Sequence, residues 1–507
     1  MVMLAGHQIT FFLREIGSAD PARRAAAAKG LGHMAGHVTE LAALAADPDP
    51  RVRAAAALAL GRQGEAAPTG PLVALCADPD AEVRRRAVNA LDRIGASGPE
   101  VAAGFVQRIG DNELRSRPLV LDWLRRYAVP VPAGSLLPLI AEPDPRIWSL
   151  AASLLRLLPE ADAVFADLVR TAPEEVRRRG LRMLASPQAG LPGIGAGATP
   201  ETREAAWRRL WDPEPLVVRA LLAALEAETE PFARNVLLGA LAARRVPEAA
   251  APAAAWLADP ECGPSAASAL GGAGTVEAVD LLRRFALGPG PREDRLRGAA
   301  LRALGTAGGV PEAESLFGLL DDPAEPVRLG AAEGLGAFFQ RFDGSVHGRL
   351  ERWRAERVPG QPVPPPADDP AVRGLARRTA ERLARMLALD VRHADTYHNA
   401  LWHLPEARPL LPALLEHPEG RVRSTALHLA ERFGDIGFGE RLRFLDDVHH
   451  TVRQGAALSF LLLAEQRGLT PDERDTLRPR LVRGQGDPDR FVRTFTTKAL
   501  AHLGRAG

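Results

Sequence analysis

The sequence predicts an all-α solenoid, a right-handed superhelix of about sixteen stacked helical hairpins. Three observations predict it. The dipeptide Val-Arg returns about every thirty residues. Each return follows a turn, often Asp-Pro, and precedes an Ala/Leu run, as in Asp47-Pro48-Asp49-Pro50-Arg51-Val52-Arg53 leading to Leu60-Gly61. Apolar residues make up 46% of the chain but aromatic ones only 5%, so the interior is built from Ala, Leu and Val, small enough for helices to approach closely.

Residues 78–95 show the logic of one hairpin. Asp78 is expected as the N-cap and Pro79 at the first helical position, where its missing N–H costs nothing. Val83, Ala87, Ala90, Leu91 and Ile94 recur at helical spacing as one buried stripe. Gly95 ends the helix where a left-handed residue is wanted. Upstream, 71–76 supplies the shorter first helix. In the same register the Val position recurs at Arg23, Val52, Val83, Leu114, Ile147, Val176, Thr202 and Ala233. It continues at Cys262, Leu296, Val327, Val372, Thr396, Val422, Val452 and Val492. Each of these is expected at the core of a second helix.

The phrase Asp-Pro-x-x-x-Val-Arg-x-x-Ala-x-x-Ala-Leu, seen at 47–60, resembles the HEAT-like repeats of the bacterial, phycobilisome-lyase type. The resemblance implies an α-solenoid and leaves function open among scaffolds, bilin lyases and regulators. It also implies that the turn Asp and the Arg after Val form a ladder between neighbouring repeats. That would make Asp47, Arg53, Asp78, Arg84, Arg177, Arg328, Arg423, Arg453, Asp487 and Arg493 structural.

Two stretches interrupt the array. Residues 190–199 contain Leu191-Pro192-Gly193-Ile194-Gly195, and 340–370 contains Pro362-Val363-Pro364-Pro365-Pro366. The expected organisation is an N-terminal array over 1–339, a Pro/Gly-rich loop or hinge over 340–370 and a C-terminal array over 371–507. A short amphipathic helix is expected from Arg349 to Arg357.

A formal net charge of +1 gives no global pull toward nucleic acid or anionic lipid. The two cysteines, Cys76 and Cys262, read as buried free thiols in a reduced compartment. The start reads as a first helix from Ile9 to Ile16 and not as a signal peptide, and no apolar run reaches bilayer-spanning length. Cytoplasmic localisation is expected. Gly193-x-Gly195-x-Gly197 follows no strand and has the wrong third spacing for a dinucleotide loop. No catalytic motif or cysteine pair at metal spacing appears, so neither a cofactor nor catalysis is expected.

Function is sought on the exposed strip of the second helices, two and six residues after each core position. That strip carries Arg85, Arg178, Arg182, Arg208, Arg302 and Arg378, then His398, Trp402 and His428 near its C-terminal end. His398 and Trp402, four apart, share a helical face, with Trp402 either an exposed anchor or a core residue. His393, His398 and His403 stand at different azimuths and make a poor metal set. The leading expectation is a non-catalytic scaffold binding a partner protein on its concave face. One alternative is nucleic-acid binding by the arginines; another is a lyase-like enzyme or cofactor chaperone with a pocket near His398, Trp402 and His428.

Overall fold

A computed structural model describes residues 2–111, 115–185, 199–290, 292–344, 346–355, 368–466 and 468–504. Among them there are thirty α-helices and no strand. The first twelve are α1 (Val2–Glu15), α2 (Pro21–Leu31), α3 (Val38–Leu44), α4 (Pro50–Arg62), α5 (Thr69–Leu75), α6 (Ala81–Arg93), α7 (Pro99–Val106), α8 (Arg117–Arg126), α9 (Ala133–Ile140), α10 (Pro145–Leu155), α11 (Ala161–Thr171) and α12 (Glu174–Leu184). There follow α13 (Pro200–Trp211), α14 (Pro215–Ala227), α15 (Pro231–Ala243), α16 (Ala250–Ala254), α17 (Gly263–Ala273), α18 (Val276–Leu287), α19 (Asp294–Ala307), α20 (Val310–Gly318) and α21 (Glu325–Gln340). The last nine are α22 (Val346–Ala355), α23 (Pro370–Leu389), α24 (Ala394–Leu401), α25 (Leu411–Leu415), α26 (Gly420–Phe433), α27 (Phe438–Arg443), α28 (His450–Glu465), α29 (Pro471–Gly484) and α30 (Arg490–Gly504). The fold is an α-solenoid of helical hairpins.

The helices begin where the sequence supplies caps. Asp49 accepts the N–H of Arg51 at 2.8 Å, with Pro50 opening α4. Asp144 and Asp369 do the same for Arg146 and Ala371, each at 2.8 Å. Residue 78 departs from expectation. The cap of α6 is Asp80, which accepts from Glu82 and Val83, and the helix starts at Ala81. Asp78 lies two residues earlier, in the same turn, and is released from capping. Gly95 ends the hairpin at φ 68°, in the left-handed region glycine favours.

The chain divides into two compact units. One comprises residues 1–198 and 214–227; the other comprises 199–213 and 228–507. In the first, second helices α2, α4 and α6 stack in succession, α8 and α10 pair likewise, and α11 packs on both α12 and α14. In the other, α15, α17, α19, α21, α24, α26, α28 and α30 stack in order.

The expected core positions follow this stacking. Of the fifteen described, eleven are buried, which fixes the repeat register along most of the chain. Val176 and Thr396 are half-buried, while Arg23 and Thr202 are exposed; Leu114 lies outside the described residues. Thr202 fails because α13 is no second helix: it packs on α22. Val372 is buried, yet α23 is the first helix of the pair that α24 completes.

α22 occupies part of the stretch read as a loop or hinge. Its Leu350, Glu351 and Arg354 are buried, and Arg349 pairs with Glu204 of α13 at 2.9 Å. Residues 356–367, with the proline tract, and 186–198, with Gly193 to Gly197, lie outside the described residues. Cys76 and Cys262 are buried and free, and burial pushes the Cys76 thiol up to about 12. No described helix is long and apolar enough to cross a membrane.

Candidate partner-binding surface

At five of the core positions the following arginine joins one hairpin to the next. Arg53 donates Nε and Nη2 to Asp78 of the next hairpin at 2.6 and 2.8 Å. Its Nη1 donates to the carbonyls of Asp47 and Pro48 in its own turn, both at 3.0 Å. Asp78 in turn accepts the N–H of Asp80 at 2.9 Å. This guanidinium thus ties its own turn to the next, and bidentate geometry fixes the spacing. The same unit recurs at Arg24–Asp47, Arg84–Asp111, Arg423–Asp447 and Arg453–Asp487. The Arg24 guanidinium holds the Asp47 carboxyl below the usual carboxylate range, and Arg453 does so for Asp487.

Three arginines of this set differ. Arg328 keeps the carbonyls of Asp322 and Pro323 but meets no carboxylate among the described residues. Arg493, on α30, holds the carbonyls of Asp487 and Pro488. Arg177 reaches Glu174 of its own helix at 3.4 Å. There Trp148 stands where the preceding hairpin would carry its arginine, and Arg179 fills the gap. Arg179 lies 5.1 Å from the Trp148 ring centroid and donates to the carbonyls of Ile140 and Glu142.

Five of the six outward arginines are paired with a nearby carboxylate. Arg85 pairs with Glu82 at 2.5 Å, and Arg85 with Arg86 holds that carboxyl down at about 2. Arg178 pairs with Glu174 at 2.6 Å, Arg208 with Glu204 at 2.7 Å and Arg378 with Glu314 at 2.5 Å. Arg302 pairs with Glu333, at the equivalent position one hairpin on. Arg182 lies over the Trp148 ring at 5.5 Å. They form no single column: Arg208 sits on α13, and Arg378 on the first helix of its pair.

Near the C-terminal end the structure brings His398, Trp402 and His428 together. His398 lies 5.4 Å from Trp402 and 6.0 Å from His428, ring centroid to centroid. All three are half-buried, and Arg432 covers the Trp402 ring at 5.5 Å. Burial, then the neighbouring His428, lowers the His398 pKa, and its Nε2 has no hydrogen-bond partner. Trp402 also lines a cavity. His393 and His403 are engaged elsewhere, with Asp390 at 2.9 Å and Asp343 at 2.7 Å. No group of three metal-ligating side chains occurs among the described residues.

The repeat register continues this surface with residues the sequence reading passed over. Leu458 on α28 occupies the position held by His428 on α26, and Leu462 lies one turn further; α24 buries Tyr397 in place of Thr396 and ends at Leu401, so Trp402 lies just beyond it. Leu458 is 37% and Leu462 45% exposed. The signal was present as large apolar residues at an outward position, but it was masked by the all-round apolar run Phe460-Leu461-Leu462-Leu463.

HEAT repeats match residues 9–91 and, in an overlapping register, 39–121. Among solved structures the chain is similar to importin beta in an ammonium sulfate condition, at 12% identity over 97% of this chain and 77% of that one, with a TM-score of 0.34. It is similar to a chain of the Kap95:Nup1 complex at 13% identity, covering 98% of this chain and 76% of that chain, TM-score 0.34. An engineered protein covers 98% of this chain and 99% of its own at 16% identity, TM-score 0.24. No curated protein matches the chain. HEAT repeats therefore stand in the N-terminal part of an all-helical solenoid.

Proposed function

We propose that this chain is a non-catalytic scaffold that binds a partner protein along the second helices α24, α26 and α28. The observation that carries this reading is the exposed pair Leu458 and Leu462 on α28, with His428 at the position of Leu458 on α26 and in ring contact with His398. Large apolar side chains left exposed together on one helix are what a protein interface covers, and aromatic residues such as the half-buried Trp402 serve as anchors at its edge. In the HEAT-like class this face is the concave one. The period of about thirty residues supports placement with the short bacterial, lyase-type repeats. Two free buried thiols support a reducing, cytoplasmic location.

The alternative groove for nucleic acid has less support. A phosphate backbone is held by uncompensated cations, whereas Arg85, Arg178, Arg208, Arg302 and Arg378 each already meet a carboxylate. The test is affinity capture from native lysate at low and high salt, with nuclease, alongside Leu458→Asp/Leu462→Asp and Arg178→Glu/Arg182→Glu baits. A stoichiometric protein that survives salt and nuclease, and is lost from the leucine variant, is the expected result. Nucleic acid recovered at low salt and lost from the arginine variant overturns the reading.

A further inference from the structure

We infer that the cavity beside Trp402 is a binding site for an organic anion with a planar apolar body, the chemistry of an aromatic carboxylate. This goes beyond the partner surface and does not depend on it. The cavity measures about 360 Å³ and opens between α21, α23, α26 and the turn after α24. That is the lower end of the range for small-molecule sites.

The floor and the rim differ in chemistry. Phe339, Val372 and Ala376 form a buried apolar floor, with Phe342, Trp402 and Phe433 half-buried around it. Three arginines, Arg373, Arg408 and Arg432, stand exposed at the rim. Two of them are held on aromatic platforms: Arg432 lies 5.5 Å from the Trp402 centroid, and Arg408 lies 5.8 Å from that of Phe433. Such stacking orients a guanidinium without using up its outward N–H groups.

The lining sets three arginines against two carboxylates, Asp343 and Glu406, and Glu406 is half-buried with no ion-pair partner among the described residues. Asp343 accepts from His403 at 2.7 Å and lies 4.0 Å from Arg432; its side chain is 5% exposed. Asp435 takes Arg408 at 3.1 Å. Arg373 meets no carboxylate among the described residues and is the cation left to receive an incoming one. A flat apolar body on the floor with its anionic group turned to Arg373 satisfies both halves of the site. A fully polar ligand leaves the apolar floor unfilled, and a cation meets three arginines at the rim.

The probe is 1-naphthoate, with neutral 1-naphthamide and cationic 1-naphthylmethylammonium as matched controls, followed by tryptophan fluorescence and ligand-observed NMR on the full chain. Saturable naphthoate binding is expected, with the amide weaker by about tenfold or more. Arg373→Gln, an exposed change that leaves the melting temperature in place, is expected to abolish that preference. Ala376→Trp fills the floor and is expected to block the amide and the acid alike. A blocked tryptophanyl-glutamate peptide run in parallel separates the two sources of this chemistry. Tighter naphthoate points to a free aromatic acid, and tighter peptide to a partner's side chains. Absence of saturable binding by any anionic probe, equal binding of acid and amide, or an unchanged preference in Arg373→Gln overturns the inference.

Discussion

The hairpins of α2–α6 and those of α24–α28 are each built on the same kind of interior and differ in what they show outside. Both runs carry the same guanidinium–carboxylate joint, Arg24–Asp47, Arg53–Asp78 and Arg84–Asp111 in one, Arg423–Asp447 and Arg453–Asp487 in the other. Both bury the valine before that arginine: Val52, Val83, Val422 and Val452 are all fully buried. On the outer column α4 and α6 offer Leu58 and Asn89, whereas α26 and α28 offer His428 and Leu458, with Trp402 just past the end of α24. Periodic positions hold the stack together; what breaks the period is where individuality resides. A third region, α19 against α21, stacks by a different device. There the helices approach through glycines, and a Cβ on Gly305 would fall on the backbone of Gly334.

That contrast sets the expected effects of substitution. The largest belongs to the glycine contact, because backbone cannot move aside as a side chain can. Gly305→Val is expected to destabilise by about 3 kcal/mol or more in chemical denaturation. An unchanged transition midpoint would show that the helices part freely. Next comes the joint. Arg53→Ala removes the guanidinium from Asp78, which keeps only the Asp80 N–H, and from two turn carbonyls, and a loss of about 2–3 kcal/mol is expected. The double variant Arg53→Ala/Asp78→Ala should lose less than the sum of the single changes, which a double-mutant cycle measures.

Smaller effects concern pH. Asp47 and Asp487 have lowered pKa values, so their pairs stabilise fully above the ordinary carboxylate value of about 4. That contribution is lost as pH falls through the lowered folded value, because the unfolded chain then binds more protons. His398 also has a lowered pKa, which places its window higher. Its neutral form fits the fold, so stability is full above about 6.5 and declines as pH falls below it. His398→Gln should flatten the change in melting temperature between pH 7.5 and 5.5. A slope identical to that of the parent would remove His398 from the account. The smallest effect on stability is expected for Leu458→Gln, within about 0.5 kcal/mol of the parent, since the side chain is exposed. That variant separates partner binding from folding.

The hairpins were legible because a buried column repeats, and repetition survives local noise. Capping was misread by two residues at Asp78, because Asp-Pro-Asp offers two acceptors in one turn and only the tertiary partner, Arg53, decides between them. The insertion was harder still. α22 buries Arg354 against the carbonyls of Arg245 and Ala273, contacts about a hundred residues away in sequence that no local pattern encodes. Local periodicity placed His398, Trp402 and His428 on neighbouring helices, but the cavity beside them depends on Phe339, Arg373 and Arg432 from three separate helices.

Hydrogen exchange on the full chain, with and without the partner recovered by capture, tests the central claim most directly. Binding should slow exchange in 394–402, 420–433 and 450–465 and leave α4 and α6 unchanged. Protection centred instead on the arginine-bearing helices α6 and α12, with α24, α26 and α28 unaffected, would contradict it.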